Sequence, residues 1–376
     1  METEEGKARA SAKRAVGAGA EIERAYKIAV VKGGGLGDLI FALPAMEALH
    51  HAFPEAELVL LGAPWALSLF RDRPGVPHRV IPLPPSPGVR DHWEAEEDQP
   101  ALENFFAAMQ EESFDLALQL HGGGRFSNPF VSRLGARITA GCRTEDATGL
   151  DLTIPYVYWQ SGTARWMEVV SLVGAPWTAL EPALRVFPSD RTAAQAALPA
   201  TDRPLVVLHP GAGDLRRRWP IDRFARIATS LCREGYLLAL IGAQEEKDLG
   251  SAVMEAAGTT GGLLVDLTGA LELPALVGLT ARASLMIGND SGPLHLAHAV
   301  GTRTVGLYWC GNIVTAAPPT RARHRPLLSW QLRCPSCGSH TVNERCEHTD
   351  SFVTEISESE VLAAAFDLLD RQPPST

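Results

Sequence analysis

The sequence predicts an α/β protein with two Rossmann-like, doubly wound domains, and three observations lead to this prediction. First, the chain has 376 residues, too many for one ordinary core but suitable for two domains. Second, a short β-branched strand, a glycine loop and a helical stretch follow one another over residues 26–52. Third, the same order returns from residue 205, where an apolar strand leads into a second glycine turn and a helix.

The composition is that of an ordinary globular protein. Hydrophobic residues make up 45% and charged residues 21% of the chain, and no apolar run approaches the roughly 18 residues that a membrane-spanning helix needs. The formal net charge of −10 argues against nucleic acid as a partner. Residues 1–25 lack the apolar stretch of a secretory signal. We therefore expect a disordered extension there, and a cytoplasmic protein with at most peripheral contact with the inner face of the membrane.

The predicted N-terminal domain spans residues 26–190. Its strands are expected at residues 26–31, 57–62, 79–83 and 114–120, with a helix over about 39–52. Residues 84–100 are rich in Pro, Asp and Glu, which is typical of a mobile loop.

The predicted C-terminal domain spans residues 200–350, with a domain boundary between about 186 and 202 and a cleft between the two domains. Its expected elements are a helix near 193–197, strands at 205–208 and 236–241, a helix over about 221–234, and a strand that ends at 285–287. A last helix is predicted over 355–371, because Ser357 is followed by Glu360 and then by an apolar stripe.

Two turns in the second half are suited to binding an anion. In the first, an apolar strand ends at Asn289-Asp-Ser-Gly-Pro293, where Asp290 and Ser291 are expected to cap a helix that starts at Pro293. The amides at such a helix start favour a phosphate. In the second, His209-Pro-Gly-Ala-Gly213 leads into Arg216–Arg218, which are either a solvated charged face or phosphate ligands. Two such turns in one domain suggest a diphosphate.

The N-terminal glycine loop, Gly33-Gly-Gly-Leu-Gly-Asp38, does not fit a dinucleotide-binding fingerprint. Asp38 stands where the third glycine of that pattern belongs, and the next strand ends at Gly62 without an acidic residue to hold a ribose. Asp38 is then either a general base at the edge of the sheet or simply the cap of the following helix. Both interpretations are open from the sequence.

Taken together, these segments resemble glycosyltransferase family nine, the ADP-heptose:lipopolysaccharide heptosyltransferases, over about residues 26–370. Four motifs carry the resemblance. They are the loop Gly35-Leu-Gly-Asp38 with the helix that follows it, the turn His209-Pro-Gly-Ala-Gly213, the basic element Arg217-Arg-Trp-Pro220, and Asn289-Asp-Ser-Gly-Pro-Leu-His295. Members of the family commonly carry Lys where this chain has Arg217, which leaves the details of donor contact open.

The resemblance implies the two-domain GT-B fold and an inverting transfer of a heptose from ADP-heptose to a hydroxyl of a lipopolysaccharide-core or other surface glycan or glycolipid. Asp38 would be the catalytic base, in an acceptor-side loop with Gly35 and Gly37. The donor would be bound by residues of the other three motifs: His209, Gly211, Gly213, Arg217, Arg218, Asp290, Ser291, Gly292 and His295. Taken singly, either histidine is more typical of a structural hydrogen-bond partner. No cofactor would be required for catalysis, because arginines and amides would stabilise the leaving ADP.

Cysteine usage indicates a reduced protein with one cluster of interest. Cys142, Cys232 and Cys310 are scattered through apparent core segments, which does not resemble a secreted disulfide framework. Cys334, Cys337, Cys346 and His348 lie close in sequence, and the first pair has the Cys-x-x-Cys spacing of a structural zinc site. The alternatives are a bound zinc ion and reduced thiols in a C-terminal loop.

Other functions fit the same turns. The rivals are another GT-B transferase or a sugar-nucleotide epimerase, and, in a different class, a noncatalytic sugar-nucleotide-binding protein. Asp38 discriminates against the last of these, because a pure binder has no need for this acid. The acceptor is expected at the N-terminal loops 84–100 and 121–128, whose composition does not identify a sugar.

Overall fold

The structure is a computed structural model that describes residues 22, 24–342, 344 and 346–370. The chain forms two compact units, of which the first ends at Leu180 and the second begins at Glu181. The expected disordered extension lies outside the described residues, apart from positions 22, 24 and 25. None of the described helices is long and apolar enough to cross a bilayer.

The first unit is built on a six-stranded parallel sheet with the strand order β3-β2-β1-β4-β5-β6. Its strands are β1 (Lys27–Lys32), β2 (Glu57–Gly62), β3 (Arg79–Pro82), β4 (Leu116–Gln119), β5 (Ile138–Arg143) and β6 (Leu152–Pro155). The central strand β1 is fully buried from Ile28 to Val31, because helices cover both faces of a parallel sheet.

The second unit repeats this plan with the strand order β12-β11-β10-β7-β8-β9. Its strands are β7 (Leu205–His209), β8 (Leu237–Leu240), β9 (Leu264–Asp266), β10 (Leu285–Asn289), β11 (Thr304–Trp309) and β12 (His324–Ser329). Counted from the first strand of each unit, both sheets have the order 3-2-1-4-5-6 of a Rossmann fold. The predicted α/β fold class with two doubly wound sheets is confirmed.

Helices connect the strands in both units. They are Leu36–Ala52, Ala66–Phe70, Gln99–Glu111, Ser127–Ser132 and Gly162–Ser171 in the first unit, and Pro188–Ala196, Ile221–Arg233, Lys247–Ala257, Leu273–Arg282, Gly292–Ala299, Cys310–Ala316 and Glu358–Leu369 in the second. The last helix starts with a capping box, in which Ser357 accepts from the amide of Glu360 and its own amide donates to the Glu360 carboxylate.

Some boundaries differ from the sequence-based expectation. The first helix begins at Leu36 instead of about residue 39, which places Asp38 in its first turn. The helix Pro188–Ala196 packs against the helix Leu273–Arg282, and this contact places it in the second unit. The two helices can approach closely because Gly278 has no side chain. A methyl group at this position would lie 2.0 Å from the backbone carbonyl oxygen of Asp190.

The sheet order decides which loops meet. β7 and β10 are neighbours, with Gly288 opposite His209 in the register. The carboxyl ends of parallel neighbours lie at the same edge of a sheet, so the turns after His209 and Asn289 are adjacent. This edge is where α/β proteins of this topology bind ligands.

Candidate active site

Asn289 holds the two turns of the second unit together. Its side chain is fully buried. Its Oδ1 accepts from the Trp219 amide at 3.0 Å, and its Nδ2 donates to the carbonyls of Pro210 at 2.8 Å and Gly211 at 3.3 Å. One amide side chain therefore satisfies three backbone groups from the glycine turn and the arginine turn, and it fixes their spacing.

The next residue, Asp290, is a buried carboxylate that contacts one arginine and one histidine. Arg217 Nη1 donates to Oδ2 at 3.0 Å and also to the Asp290 carbonyl at 3.1 Å, while His295 Nε2 lies 3.0 Å from Oδ1. Burial by itself would raise the pKa of Asp290, but the contacts with His295 and Arg217 outweigh it and the net pKa is lowered. Asp290 therefore stays ionised and orients Arg217.

His209 is also buried and bridges two turns. Its Nδ1 lies 2.9 Å from Ser291 Oγ, and its Nε2 lies 3.3 Å from Glu246 Oε2. The same Glu246 oxygen accepts from the Ala243 amide at 2.9 Å. Gly211 leaves the space for this carboxylate, because a methyl group there would lie 1.9 Å from Glu246 Oε1.

The three consecutive arginines make different contacts. Arg216 forms a close ion pair with Asp214, with Nη2 2.6 Å from Oδ2, so its charge is already matched. Arg218 donates through Nε to the Ala212 carbonyl at 2.9 Å and lies 4.0 Å from Glu246. The side chain of Arg217 is one-quarter exposed, and its Nε has no hydrogen-bond partner among the described residues. Both of its hydrogen bonds with Asp290 use Nη1, so the exposed part of the Arg217 guanidinium is left to meet a ligand.

The start of the helix Gly292–Ala299 differs from the predicted cap. Ser291 occupies the N-cap position, but its hydroxyl donates to the Asn289 carbonyl and contacts His209 instead of capping an amide. Asp290 is held by Arg217 and His295, and Pro293 is the second helical residue, not the first. Within the described chain, no side chain caps these amides. The helix start is therefore available to an anion.

In the first unit, Asp38 is exposed in the first turn of the helix Leu36–Ala52. Its Oδ2 accepts from the Gly35 amide at 3.0 Å. The preceding Gly34 has φ of +89°, a conformation that favours glycine, and a methyl group on it would lie 2.8 Å from Asp38 Oδ2. The side chain therefore caps the helix and also faces solvent, so both sequence-based interpretations are compatible with its position.

A buried basic pair lies beneath this loop, and the sequence did not single it out. Lys32 is only 4% exposed, and its Nζ lies 4.7 Å from the ring centroid of Trp166. Burial lowers the pKa of Lys32, while the nearby charge of Asp38 acts in the opposite direction. Arg165 is 8% exposed and donates to the carbonyls of Val157 and Tyr158. Two basic side chains are therefore buried close to the loop that carries Asp38.

His121, two residues after β4, lies next to the same glycine loop. Burial, followed by the charge of Lys32, lowers its pKa to about 4, so it is neutral at physiological pH. Gly33 fits beneath it, because a methyl group at this position would lie 1.8 Å from the Val89 carbonyl oxygen and 3.3 Å from His121. A side chain at Gly33 would therefore not fit between the glycine loop and the Val89 carbonyl.

Asn289 and Glu246 were missed as site residues for different reasons. Asn289 was quoted within a motif, but its role depends on the neighbouring strand. Glu246 lies outside the four motifs, and only its contact with His209 marks it. Lys32 did carry a sequence signal, since a lysine at the end of an otherwise apolar strand precedes the glycines.

The Cys/His cluster is assembled in the structure. One ligand atom from each of Cys334, Cys337, Cys346 and His348 lies within 4.8 Å of every other. The three thiols form no disulfide, nor do Cys142, Cys232 and Cys310, which are buried. A set of three thiols and one imidazole is suited to a thiophilic metal ion.

Two Rossmann-type sheets, with a basic turn and an uncapped helix start at the carboxyl edge of the second, are the features expected of the GT-B fold class. The model of glycosyltransferase family 9 (heptosyltransferase) matches residues 103–346. The chain therefore belongs to this family and is a glycosyltransferase, as the resemblance of its motifs implied.

Individual relatives agree. Lipopolysaccharide heptosyltransferase 2 of Escherichia coli K12 is 26% identical over 297 residues, which are 75% of this chain and 82% of that protein. The structure of E. coli ADP-heptose LPS heptosyltransferase II is 21% identical with a TM-score of 0.73, and the match covers 91% of this chain and 98% of that one. An E. coli heptosyltransferase with ADP-2-deoxy-2-fluoro heptose is 17% identical with a TM-score of 0.64, over 91% and 99% of the two chains. At these identities the structural likeness shows the fold.

Proposed function

We propose that this chain transfers a heptose, with inversion, from ADP-heptose to a hydroxyl of a lipopolysaccharide-core or related glycan, on the cytoplasmic side of the membrane. The observation that carries the proposal is the position of Arg217, which the buried Asp290 holds beside an uncapped helix start. The names of the relatives supply ADP-heptose as the donor and lipopolysaccharide as the acceptor class.

On the donor side, the proposal assigns the diphosphate to Arg217, Arg218 and the amides of Ser291 and Gly292. Negative charge develops on the departing diphosphate as the glycosidic bond breaks, and fixed cations and amides stabilise it without reorganising. The turn at Gly211 and Gly213 is assigned to the nucleotide.

The two buried histidines support these groups from behind. His209 orients Ser291, and His295 helps Asp290 to hold Arg217. They are positioning residues in this proposal.

On the acceptor side, the proposal assigns Asp38 as the general base. Its carboxylate is exposed and is fixed through one oxygen by the Gly35 amide, which leaves Oδ1 to accept a proton. The acceptor oxygen attacks the anomeric carbon, the bond to the diphosphate breaks, and the hydroxyl proton passes to Asp38.

A donor panel tests the proposal. ADP-, GDP-, UDP- and dTDP-sugars are compared by thermal shift at equal concentration, and ADP-heptose is then incubated with lipopolysaccharide-core acceptors. A ligand at about 100 times its Kd stabilises the folded state by about 2.7 kcal/mol. We expect the largest shift with ADP-heptose, followed by heptosylated product.

A larger shift with a UDP-sugar, or its epimerisation without transfer, would favour the rival transferase or epimerase. Binding of ADP-heptose without transfer to any acceptor of the panel would favour a noncatalytic role.

A further inference from the structure

The cluster of Cys334, Cys337, Cys346 and His348 has nearly the dimensions of a filled metal site. Tetrahedral zinc, with Zn–S bonds of about 2.3 Å and Zn–N bonds of about 2.0 Å, places three sulfurs and one nitrogen roughly 3.5–3.8 Å apart. The four ligand atoms are already within 4.8 Å of one another. Small side-chain rotations would bring them onto one ion.

The backbone around the first two cysteines forms a tight turn that presents both thiols to the same side. The Gly338 amide donates to the Cys334 carbonyl at 2.9 Å, and the Cys334 amide donates to the Ser339 carbonyl at 3.0 Å. Gly338 has φ of +76°, a conformation that glycine adopts without strain. A Cys-x-x-Cys-Gly turn of this kind is preformed for a metal.

No hydrophobic core supports residues 330–350, which include the cluster. Between residues 330 and 357, the described residues form no helix or strand. The core cluster of the second unit includes Val353 and Ile356 but no residue from 330 to 350. Trp330 and Leu332 are 65% and 44% exposed. A long segment without apolar packing needs another source of order, and a structural metal supplies it in small folds.

The segment that follows the cluster supports the arginine turn. The Phe352 amide donates to the Arg216 carbonyl at 2.7 Å, and Trp219 Nε1 donates to the Ile356 carbonyl at 2.9 Å. Ser336, inside the Cys-x-x-Cys turn, donates to Asp350 at 2.7 Å. The cluster is thus connected through a few residues to the backbone of the turn that carries Arg217.

We propose that Cys334, Cys337, Cys346 and His348 bind one structural Zn²⁺, and that this ion orders residues 346–356, against which the arginine turn is fixed. The first part is independent of the proposed function. The second rests on it only in that the turn is assigned to the donor diphosphate. Three thiolates and one neutral imidazole would leave the bound ion with one net negative charge, and Arg216 lies next to the segment concerned.

Metal analysis of the full-length protein, purified under reducing conditions without chelator, is the first test. We expect about one zinc ion per chain in the wild type. Cys337→Ser removes an exposed ligand and should abolish the zinc. His348→Cys offers a fourth thiolate and should retain it, and His340→Asn, in the same loop but outside the cluster, is the matched control.

Hydrogen exchange is the second readout, and it needs no donor or acceptor. In Cys337→Ser, amides of 346–356 and 214–219 should exchange at least tenfold faster than in the wild type, while amides of β1 should exchange at the wild-type rate. In His340→Asn, all of these amides should exchange at the wild-type rate.

A wild-type protein without metal, or with another metal in place of zinc, would overturn the assignment. So would zinc retained in both Cys337→Ser and Cys346→Ser. Unchanged exchange at 214–219 after loss of zinc would overturn the supporting role. Failure of ADP-heptose binding alone would count against the proposed function and not against this site.

Discussion

Replacing Gly211 by alanine should damage the site, whereas the same replacement at Gly213 should not. Both glycines belong to one short turn and are equivalent in the sequence pattern. In the structure, a methyl group at Gly211 would lie 1.9 Å from Glu246 Oε1 and 2.4 Å from Cδ, while nothing lies within 4 Å of one at Gly213. Neither position has the positive φ that would strain any side chain.

The cost follows from what Glu246 must give up. Contacts this short force the carboxylate aside, and it then loses the Ala243 amide at 2.9 Å and His209 at 3.3 Å. A hydrogen bond to a charged group is worth about 1.5–3 kcal/mol, so we expect Gly211→Ala to lower the free energy of unfolding by about 2 kcal/mol. Gly213→Ala should stay within about 0.5 kcal/mol of the wild type.

Urea unfolding followed by tryptophan fluorescence measures these differences, with Trp219 buried in the same unit. The decisive comparison is a double-mutant cycle with Glu246→Ala, which removes the obstructing carboxylate. If the steric argument is right, Gly211→Ala should cost roughly 1–2 kcal/mol less in that background. Equal effects of the two alanines, or strict additivity with Glu246→Ala, would refute the reasoning.

Three further predictions concern neighbouring groups. Because the folded-state pKa of Asp290 is lowered, its stabilisation is present above its unfolded pKa of about 3.9 and is lost as pH falls through the folded value. The deficit of Asp290→Asn in unfolding free energy should therefore narrow below about pH 4, and a pH-independent deficit would contradict this. Arg217→Ala should weaken ADP binding, measured by calorimetry, roughly 10–100-fold, and Arg217→Lys should weaken it less than about tenfold. Unchanged affinity in the alanine variant would exclude a contact between Arg217 and phosphate. Tyr308 is buried and its hydroxyl has no hydrogen-bond partner among the described residues. Tyr308→Phe should therefore leave the free energy of unfolding unchanged or raise it by up to about 1 kcal/mol. A clear decrease in the free energy of unfolding would reveal a partner.

Local patterns were enough to predict the fold class. The strand, glycine loop and helix around Asp38 and the repeat of this order after residue 205 are readable because each depends on residues close in sequence. Weakly patterned elements such as β9 (Leu264–Asp266) and β6 (Leu152–Pro155) were not anticipated, since short segments carry little periodicity.

The pairings inside the site could not be predicted in the same way. Arg217 meets Asp290 only because β7 and β10 are neighbours in the sheet, and that order is a property of the whole unit. The expectation that Asp290 caps a helix was therefore wrong, although its motif was recognised. Likewise, nothing local to Arg165 indicates that it lies beneath the loop of Asp38.

The most direct test of the account is the turnover of Asp38→Asn, because this variant keeps the shape of the side chain and removes its basicity. Transfer from ADP-heptose is measured under saturating donor and acceptor, alongside the Kd for ADP and the melting temperature. We expect kcat to fall about a hundredfold or more, with ADP affinity and stability near those of the wild type. A kcat close to the wild-type value would contradict the assignment of Asp38 as the base.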